Sequence, residues 1–343
     1  MKMNINEIEL DEMIARISDK TAVSAKMLRG EVDRMAMSEE WHDENRKLIH
    51  EDYWGKFILN YAQGLLEQEG VEFDEFWDNL NNHEFLEGSY LGKELNVKLK
   101  STAKKSLLYY IKKITGQLDD DRVLEIDCVF HNKLQRVEAF SQSNIKRLFM
   151  LSLMQGFTQT ETIIVDLGSG WGRYSTLFAN NIGNAKIYSG ELSESGRACT
   201  KLISEYFSLD IEDFYFNYQE WDGLLSIIRK HKDKQIVIFS NHSIEQVTYL
   251  NKQLFEDILS AGNDIQFLHL EPIGWQLVTE KDSLQFTKPP EKDLGENGGY
   301  NKNLTVILKI LQDEGKIFDL NFSLNHFALA NSWNCGTLIS YRS

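Results

Sequence analysis

Three glycines at alternate positions follow an acid in residues 163–172, Ile-Ile-Val-Asp-Leu-Gly-Ser-Gly-Trp-Gly. The apolar run before Asp166 reads as a buried strand, and Arg173-Tyr174-Ser175-Thr176-Leu177-Phe178-Ala179 opens a helical pattern. A strand, a tight turn and a helix N-terminus in that order bring backbone N–H groups close to a ligand. Gly168, Gly170 and Gly172 put no Cβ in the way of that approach. A dinucleotide fingerprint would need glycine where Arg173 stands, which weakens a hydride-transfer reading. A second acid follows one helix and turn later, where Ala185-Lys186-Ile187-Tyr188-Ser189-Gly190-Glu191 reads as a strand ending in a carboxylate. A carboxylate at that strand end can accept ribose hydroxyls.

The run Asp-Leu-Gly-Ser-Gly-x-Gly resembles motif I of the class I S-adenosylmethionine (SAM)-dependent methyltransferases. The resemblance implies that Gly168, Ser169, Gly170 and Gly172 lie under the methionine moiety of SAM and that Asp166 receives its amino group. It assigns Glu191, with Leu192 beside it, to the ribose. Ligands of open α/β sheets sit at the carboxyl ends of the strands, so the remaining candidates come from there. After the third strand, where the resemblance places the adenine, Gln219, Trp221 and Asp222 are the candidates, although Trp221 reads equally well as a buried helix start. After the fourth, Ser240 and Asn241 would meet the cofactor, and His242 and Glu245 could take a proton from an acceptor hydroxyl. Ser243 and Glu245 also read as caps of the following helix. The fifth strand ends in Glu271-Pro272, a rigid turn that would aim a third carboxylate at the cleft. Arg173, Trp275, Tyr300 and Asn301 are candidate substrate contacts. His326 is a weaker candidate, and the Asn-Pro-Pro-Tyr motif of DNA adenine methylation is absent after the fourth strand.

These side chains need a sheet to hold them. From residue 162 the pattern alternates strand and helix, with strands expected at 162–167, 185–190, 213–218, 235–240, 265–270, 316–329 and 335–342. Helices are expected at 172–181, 193–208, 221–230, 243–260 and 302–313. Only Ala330-Asn331-Ser332-Trp333-Asn334 separates the last two strands, so a C-terminal hairpin closes the sheet. This is the seven-stranded, Rossmann-like α/β sheet that the resemblance implies. Residues 1–140 contain no proline and carry apolar residues at helical spacing, such as Trp54, Phe57, Ile58, Tyr61, Leu65 and Leu66. They read as an all-helical extension that recognises substrate, with 141–343 as the SAM-binding domain. Val123 to Phe130 could be a strand or a connector. The long polar stretch from Thr279 to Asn303 reads as a substrate lid.

Composition narrows the partners. The net charge of −15 disfavours nucleic acid, and no apolar run is long enough for a membrane helix. Cys128, Cys199 and Cys335 form no metal-ligand pair and fit a reducing cytoplasm. No metal is expected, and SAM, leaving as S-adenosylhomocysteine, is the expected cofactor. The segments His-Ser-Ile-Glu-Gln, Leu-Glu-Pro-Ile-Gly-Trp-Gln and Tyr-Asn-Lys-Asn resemble the bacterial sugar O-methyltransferase family over about residues 140–343. That implies O-methylation of a sugar or glycan hydroxyl in a biosynthetic pathway. Similar enzymes of lanthipeptide-type pathways make the C-terminal carboxylate of a modified peptide the alternative acceptor. A non-catalytic SAM-binding scaffold is the second alternative.

Overall fold

The computed structural model describes residues 51, 58–81, 125–130, 133–138, 141–159, 161–262, 264–277, 300–329 and 336–343. Helices α1 (Asn60–Leu66) and α2 (73–81) come first, followed by strands β1 (Glu125–Phe130) and β2 (Lys133–Glu138). Helix α3 (Ser141–Phe157) leads into β3 (Thr162–Leu167), α4 (Arg173–Asn181), β4 (Ala185–Glu191), α5 (Glu194–Tyr206) and β5 (Ile211–Tyr215). The chain continues through α6 (Asp222–Lys230), β6 (Ile236–Asn241), α7 (Lys252–Ala261), β7 (Ile265–Glu271), α8 (Leu304–Asp313), β8 (Phe318–Leu329) and β9 (Gly336–Arg342).

The strands form one sheet in the order β2-β1-β8-β9-β7-β6-β3-β4-β5. Strands β3 to β7 pair in parallel, whereas β9 runs antiparallel between β7 and β8. From β3 onward this is the seven-stranded α/β sheet with a closing hairpin. The order reverses beside β3: its neighbours are β4, next in the chain, and β6, reached by a crossover. A crevice opens at such a switch point, and the glycine turn leaves β3 there.

Alternation along the strands builds a core on each face. Ile164, Val237 and Phe239 point to the side covered by α1 to α5, and Ile163, Val165, Ile236 and Ile238 to the side covered by α6 to α8. All six residues of β3 are buried, as the middle of a sheet covered on both faces requires.

Two expectations change. The all-helical reading of residues 1–140 does not extend to 125–138, where β1 and β2 form an antiparallel hairpin on the β8 edge. Leu134 and Val137 lie three apart, a spacing that suits a helix at least as well as a strand, and it is the pairing of β1 with β2 and with β8 that makes this segment a sheet edge. The helix expected over 243–260 is a short 3₁₀ turn, Ile244–Gln246, followed by α7. Asn251 starts α7 by accepting the Gln253 N–H in its side chain. The residues before it are drawn off by the chain entering α8: Asn301 N–H donates to the Glu245 carbonyl (2.8 Å) and Lys302 N–H to that of Thr248 (2.8 Å). Most of 1–140 and the lid expected from Thr279 lie outside the described residues.

Helix α2 reaches the flank of the glycine turn. Trp77 is buried against Trp171, with ring centroids 6.3 Å apart, and its indole N–H donates to the Arg173 carbonyl at 2.9 Å. Arg147 of α3 lies over the Trp77 ring and pairs with Asp74 (2.9 Å) and Asp78 (3.4 Å). Losing an indole from such a site costs about 3–5 kcal/mol. Trp77→Ala should therefore lower the unfolding free energy by about that amount in denaturant titration. A loss below about 1 kcal/mol would show that α2 packs only loosely on the sheet domain.

Candidate functional site

The turn after β3 needs glycine for two separate reasons. Gly168, Gly170 and Gly172 all have positive φ, at 69°, 61° and 80°. A Cβ on Gly168 would also overlap the Ser243 hydroxyl, and one on Gly172 would meet Thr200 Oγ1 at 2.5 Å. The loop after β6 thus rests directly on the glycine turn. Gly172 caps α4 and donates its N–H to the Ser169 carbonyl at 3.0 Å.

Glu191, at the end of β4, ties that turn to the next strand. Its Oε2 accepts the Gly170 N–H (3.0 Å), and its Oε1 accepts the Ser193 N–H (2.9 Å) and hydroxyl (2.8 Å). A carboxylate has about four acceptor positions, so roughly one remains, on Oε2. Burial pushes the Glu191 carboxyl up, against the pull of those donors. Asp166 is buried beside it and accepts the Ser175 hydroxyl at 2.7 Å. Burial first, with the Glu191 charge adding to it, pushes Asp166 up to about 7.

The loop after β6 carries the second group of side chains. His242 donates its backbone N–H to the Leu270 carbonyl (3.1 Å) and then turns with φ 53°, a left-handed conformation rare outside glycine. Such local strain persists only where the surroundings impose it, and it gathers at functional sites. His242 Nδ1 lies 3.3 Å from Oε2 of Glu245, and the two side chains are 26% and 6% exposed. A proton on Nδ1 facing that carboxylate leaves Nε2 as the basic nitrogen.

Turn and loop enclose a cavity of about 410 Å³ at the carboxyl ends of β3, β4 and β6. Of the residues expected at a cofactor, Asp166, Gly168, Ser169, Gly170, Glu191 and Leu192 line it, as do Gln219 and Asn241. His242 and Arg173 line it as well, and Arg173 lies 5.9 Å from the Trp171 and Tyr174 ring centroids. The Asn241 Oδ1 is buried without a hydrogen-bond partner among the described residues.

Other expected residues lie elsewhere. Gly172 supports the turn from behind. Trp221 donates its indole N–H to Asp257 (3.0 Å) and packs against the core on the α6–α8 side, while Asp222 is exposed at the start of α6. Ser240 and Glu271 are fully buried beneath the cavity, so Glu271 is not a base facing it. Glu245 reaches the site through His242 without lining the cavity. Asn301 is fully buried and structural: its Oδ1 accepts the N–H groups of Asn303 (3.1 Å) and Leu304 (2.8 Å), which caps α8. Tyr300 does not line the cavity, and the Trp275 and His326 side chains lie outside the described residues.

Sequence reasoning missed Phe216, Tyr218, Gln246 and Val247 on the wall. Phe214, Phe216 and Tyr218 alternate like strand residues, but β5 ends at Tyr215. Phe216 and Tyr218 then turn into the crevice, where Tyr218 Oη sits 2.9 Å from Ser243 Oγ.

No family model and no curated protein matches this sequence. Solved structures do align with it. An O-methyltransferase from Bacillus cereus in complex with SAH is 12% identical, with a TM-score of 0.40, over 75% of this chain and 97% of its own. A SAM-dependent methyltransferase from Anabaena variabilis is 9% identical, with a TM-score of 0.39, over 72% and 96%. A precorrin-6y C5,15-methyltransferase from Geobacter metallireducens is 13% identical, with a TM-score of 0.34, over 57% and 86%.

The buried acids fix a sign for stability against pH. Asp166 is pushed from 3.8 to about 7, and Glu271 from 4.5 to about 8, both chiefly by burial. Folded-state values above the unfolded ones mean that the native chain holds more protons between them. Their stabilising contribution is therefore full at acid pH and lost as pH rises through about 7 and 8. Urea unfolding should show stability falling from about pH 5 to about pH 8.5, with Asp166→Asn flattening the fall. Identical pH profiles for variant and wild type would contradict the Asp166 assignment.

Proposed function

We propose that this chain is a SAM-dependent O-methyltransferase acting on a hydroxyl of a sugar or glycan. The observation that carries this reading is one cavity lined by the glycine turn, the buried acids Asp166 and Glu191, and His242, which pairs with Glu245 behind it. Its volume of about 410 Å³ lies within the roughly 300–1,000 Å³ of small-molecule sites. The turn fits a nucleoside cofactor because Gly168 and Gly170 line the cavity and present backbone to it without a side chain. Asp166 would receive the amino group, and the remaining acceptor position on Glu191 Oε2 would take one ribose hydroxyl. Phe216 and Gln219 would hold the adenine by face and edge. The Asn241 carboxamide would gain the partner that it lacks in the protein.

When bound, SAM supplies an electrophilic methyl group on a sulfonium that needs little help to leave. The protein must align the acceptor and receive its proton. His242 Nε2 takes the hydroxyl proton, and Glu245 holds Nδ1–H and stabilises the imidazolium. Asp166, Glu191 and Glu245 make the site favour a neutral acceptor over an anionic one. A second reading, with a peptide C-terminal carboxylate as acceptor, is favoured by Arg173 on the wall. An acceptor of that kind arrives ionised and needs no base. Residues 1–140 are proposed as the unit that selects the acceptor, and Glu51 supports this. Its carboxylate accepts the N–H groups of Glu194 and Ser195 at the start of α5, just past Glu191.

Hydrogen bonds to charged groups are worth roughly 1.5–3 kcal/mol, so Glu191→Ala should weaken SAH binding at least about tenfold. Unchanged affinity by calorimetry in a folded variant would remove Glu191 from the cofactor site.

For a hydroxyl acceptor, His242→Ala should lower kcat by about 10²–10⁴ and abolish the rise of kcat with pH. Turnover on glycan and peptide acceptor pools checks this. A wild-type kcat flat from about pH 5.5 to 8 would favour the carboxylate reading.

A further inference from the structure

Glu271 is fully buried and does not face the cavity, yet it controls the loop that does. The regular pairing of β6 with β7 ends at Asn241 and Leu270, and the His242 N–H extends it by one bond to the Leu270 carbonyl. Beyond that point the Glu271 carboxylate takes over as acceptor. Its Oε1 receives the Ser243 N–H at 3.2 Å, and its Oε2 receives the Glu245 N–H at 3.1 Å. The Glu245 carbonyl is held from the other side by the Asn301 N–H at 2.8 Å. With its backbone fixed at both groups, Glu245 presents Oε2 to His242 Nδ1.

The anchor is itself held from below. Ser240 Oγ donates to Glu271 Oε1 at 2.7 Å and lies 2.9 Å from His269 Nδ1, while His269 Nε2 lies 3.2 Å from Tyr341 Oη. Burial pushes His269 down to about 3, so the ring is neutral and has one donor and one acceptor nitrogen. With Glu271 ionised, one proton order satisfies the chain: Tyr341 donates to His269, His269 to Ser240, and Ser240 to Glu271. The carboxylate thus faces three donors, an environment built for its ionised form. Burial first, and then the charge of Glu245, oppose that form and push the carboxyl up to about 8, so the ionised anchor is complete above that pH. The Glu271 charge in turn bears on Tyr218, adding to the burial that keeps its phenol neutral.

We propose that Glu271 is a positioning residue that sets the His242–Glu245 pair, its carboxylate standing in for the ladder carbonyls that β7 does not offer past His242. The functional consequence rests on His242 being the base, but the positioning can be read without turnover. Glutamine at 271 keeps the shape and replaces one acceptor oxygen with a donor, so one of the two backbone N–H groups loses its acceptor. In the full-length Glu271→Gln protein, hydrogen exchange at the Ser243 or Glu245 amide should quicken at least about tenfold. The NMR titration midpoint of the His242 imidazole should move, while SAH affinity by calorimetry stays within about threefold. Ser240→Ala, which spares both backbone contacts, should leave the exchange of those two amides near wild type.

An unchanged His242 titration together with unchanged exchange would overturn the proposal. So would equal acceleration at Ile238 and Phe239 inside β6, because the carboxylate would then serve only general stability. If Glu271→Gln does not fold, the wild type decides. The Ser243 and Glu245 amide protons should follow the Glu271 carboxyl titration with one midpoint, and separate midpoints would overturn the idea. Full methyl transfer by His242→Ala would refute the base reading alone, since neither exchange nor titration depends on turnover.

Discussion

The contact between Gly168 and Ser243 holds together two halves that the chain builds far apart. At Gly168 the first strand of the parallel sheet turns with positive φ, and the Ser243 side chain fills the space that a Cβ would need. Ser243 in turn bonds through Oγ to Tyr218 and through its N–H to Glu271. Glu191 adds the third side by accepting from Gly170 and from both polar groups of Ser193. The ends of β3, β4 and β6 are thereby locked into one rim. A cavity bounded this way is preorganised, so a ligand entering it need not pay for ordering loops.

Much of this was open to sequence reasoning, because the strongest signals are local. Glycines at alternate positions after an apolar strand allow little but a tight turn, and Asp166 and Glu191 end strands whose borders the structure places within a residue of expectation. Strand-end logic finds positions along a strand but not which side chain faces the crevice. Ser240 and Glu271 were expected there for that reason, yet both point into the core face beneath it. Phe216 and Tyr218 were missed for the converse reason: they continue an aromatic alternation past the end of β5, where the backbone has already turned. Asn301 read as a polar group at a loop mouth, while its role is to cap α8 and tie down Glu245. The contacts of Trp77 with Arg173 and of Glu51 with Ser195 span 96 and 144 residues and leave no local trace.

Asp166, Glu191, Glu245 and Glu271 are all buried around one cavity. Burying an ionised carboxylate is expensive unless donors or a cation compensate. Backbone N–H groups and hydroxyls compensate in part: three reach Glu191, three reach Glu271, and the hydroxyl and backbone N–H of Ser175 reach Asp166. Burial outweighs these donors at both residues: Asp166 rises to about 7 and Glu271 to about 8. A cationic ligand beside Asp166 would supply the missing charge and pull its pKa back down. The two acids then have different tasks. Asp166 waits for charge from the ligand, whereas Glu271 already has its donors and uses them to hold the loop. Stability alone would favour apolar residues at these positions, and buried acids there suit the cationic cofactor and the proton transfer proposed for this site.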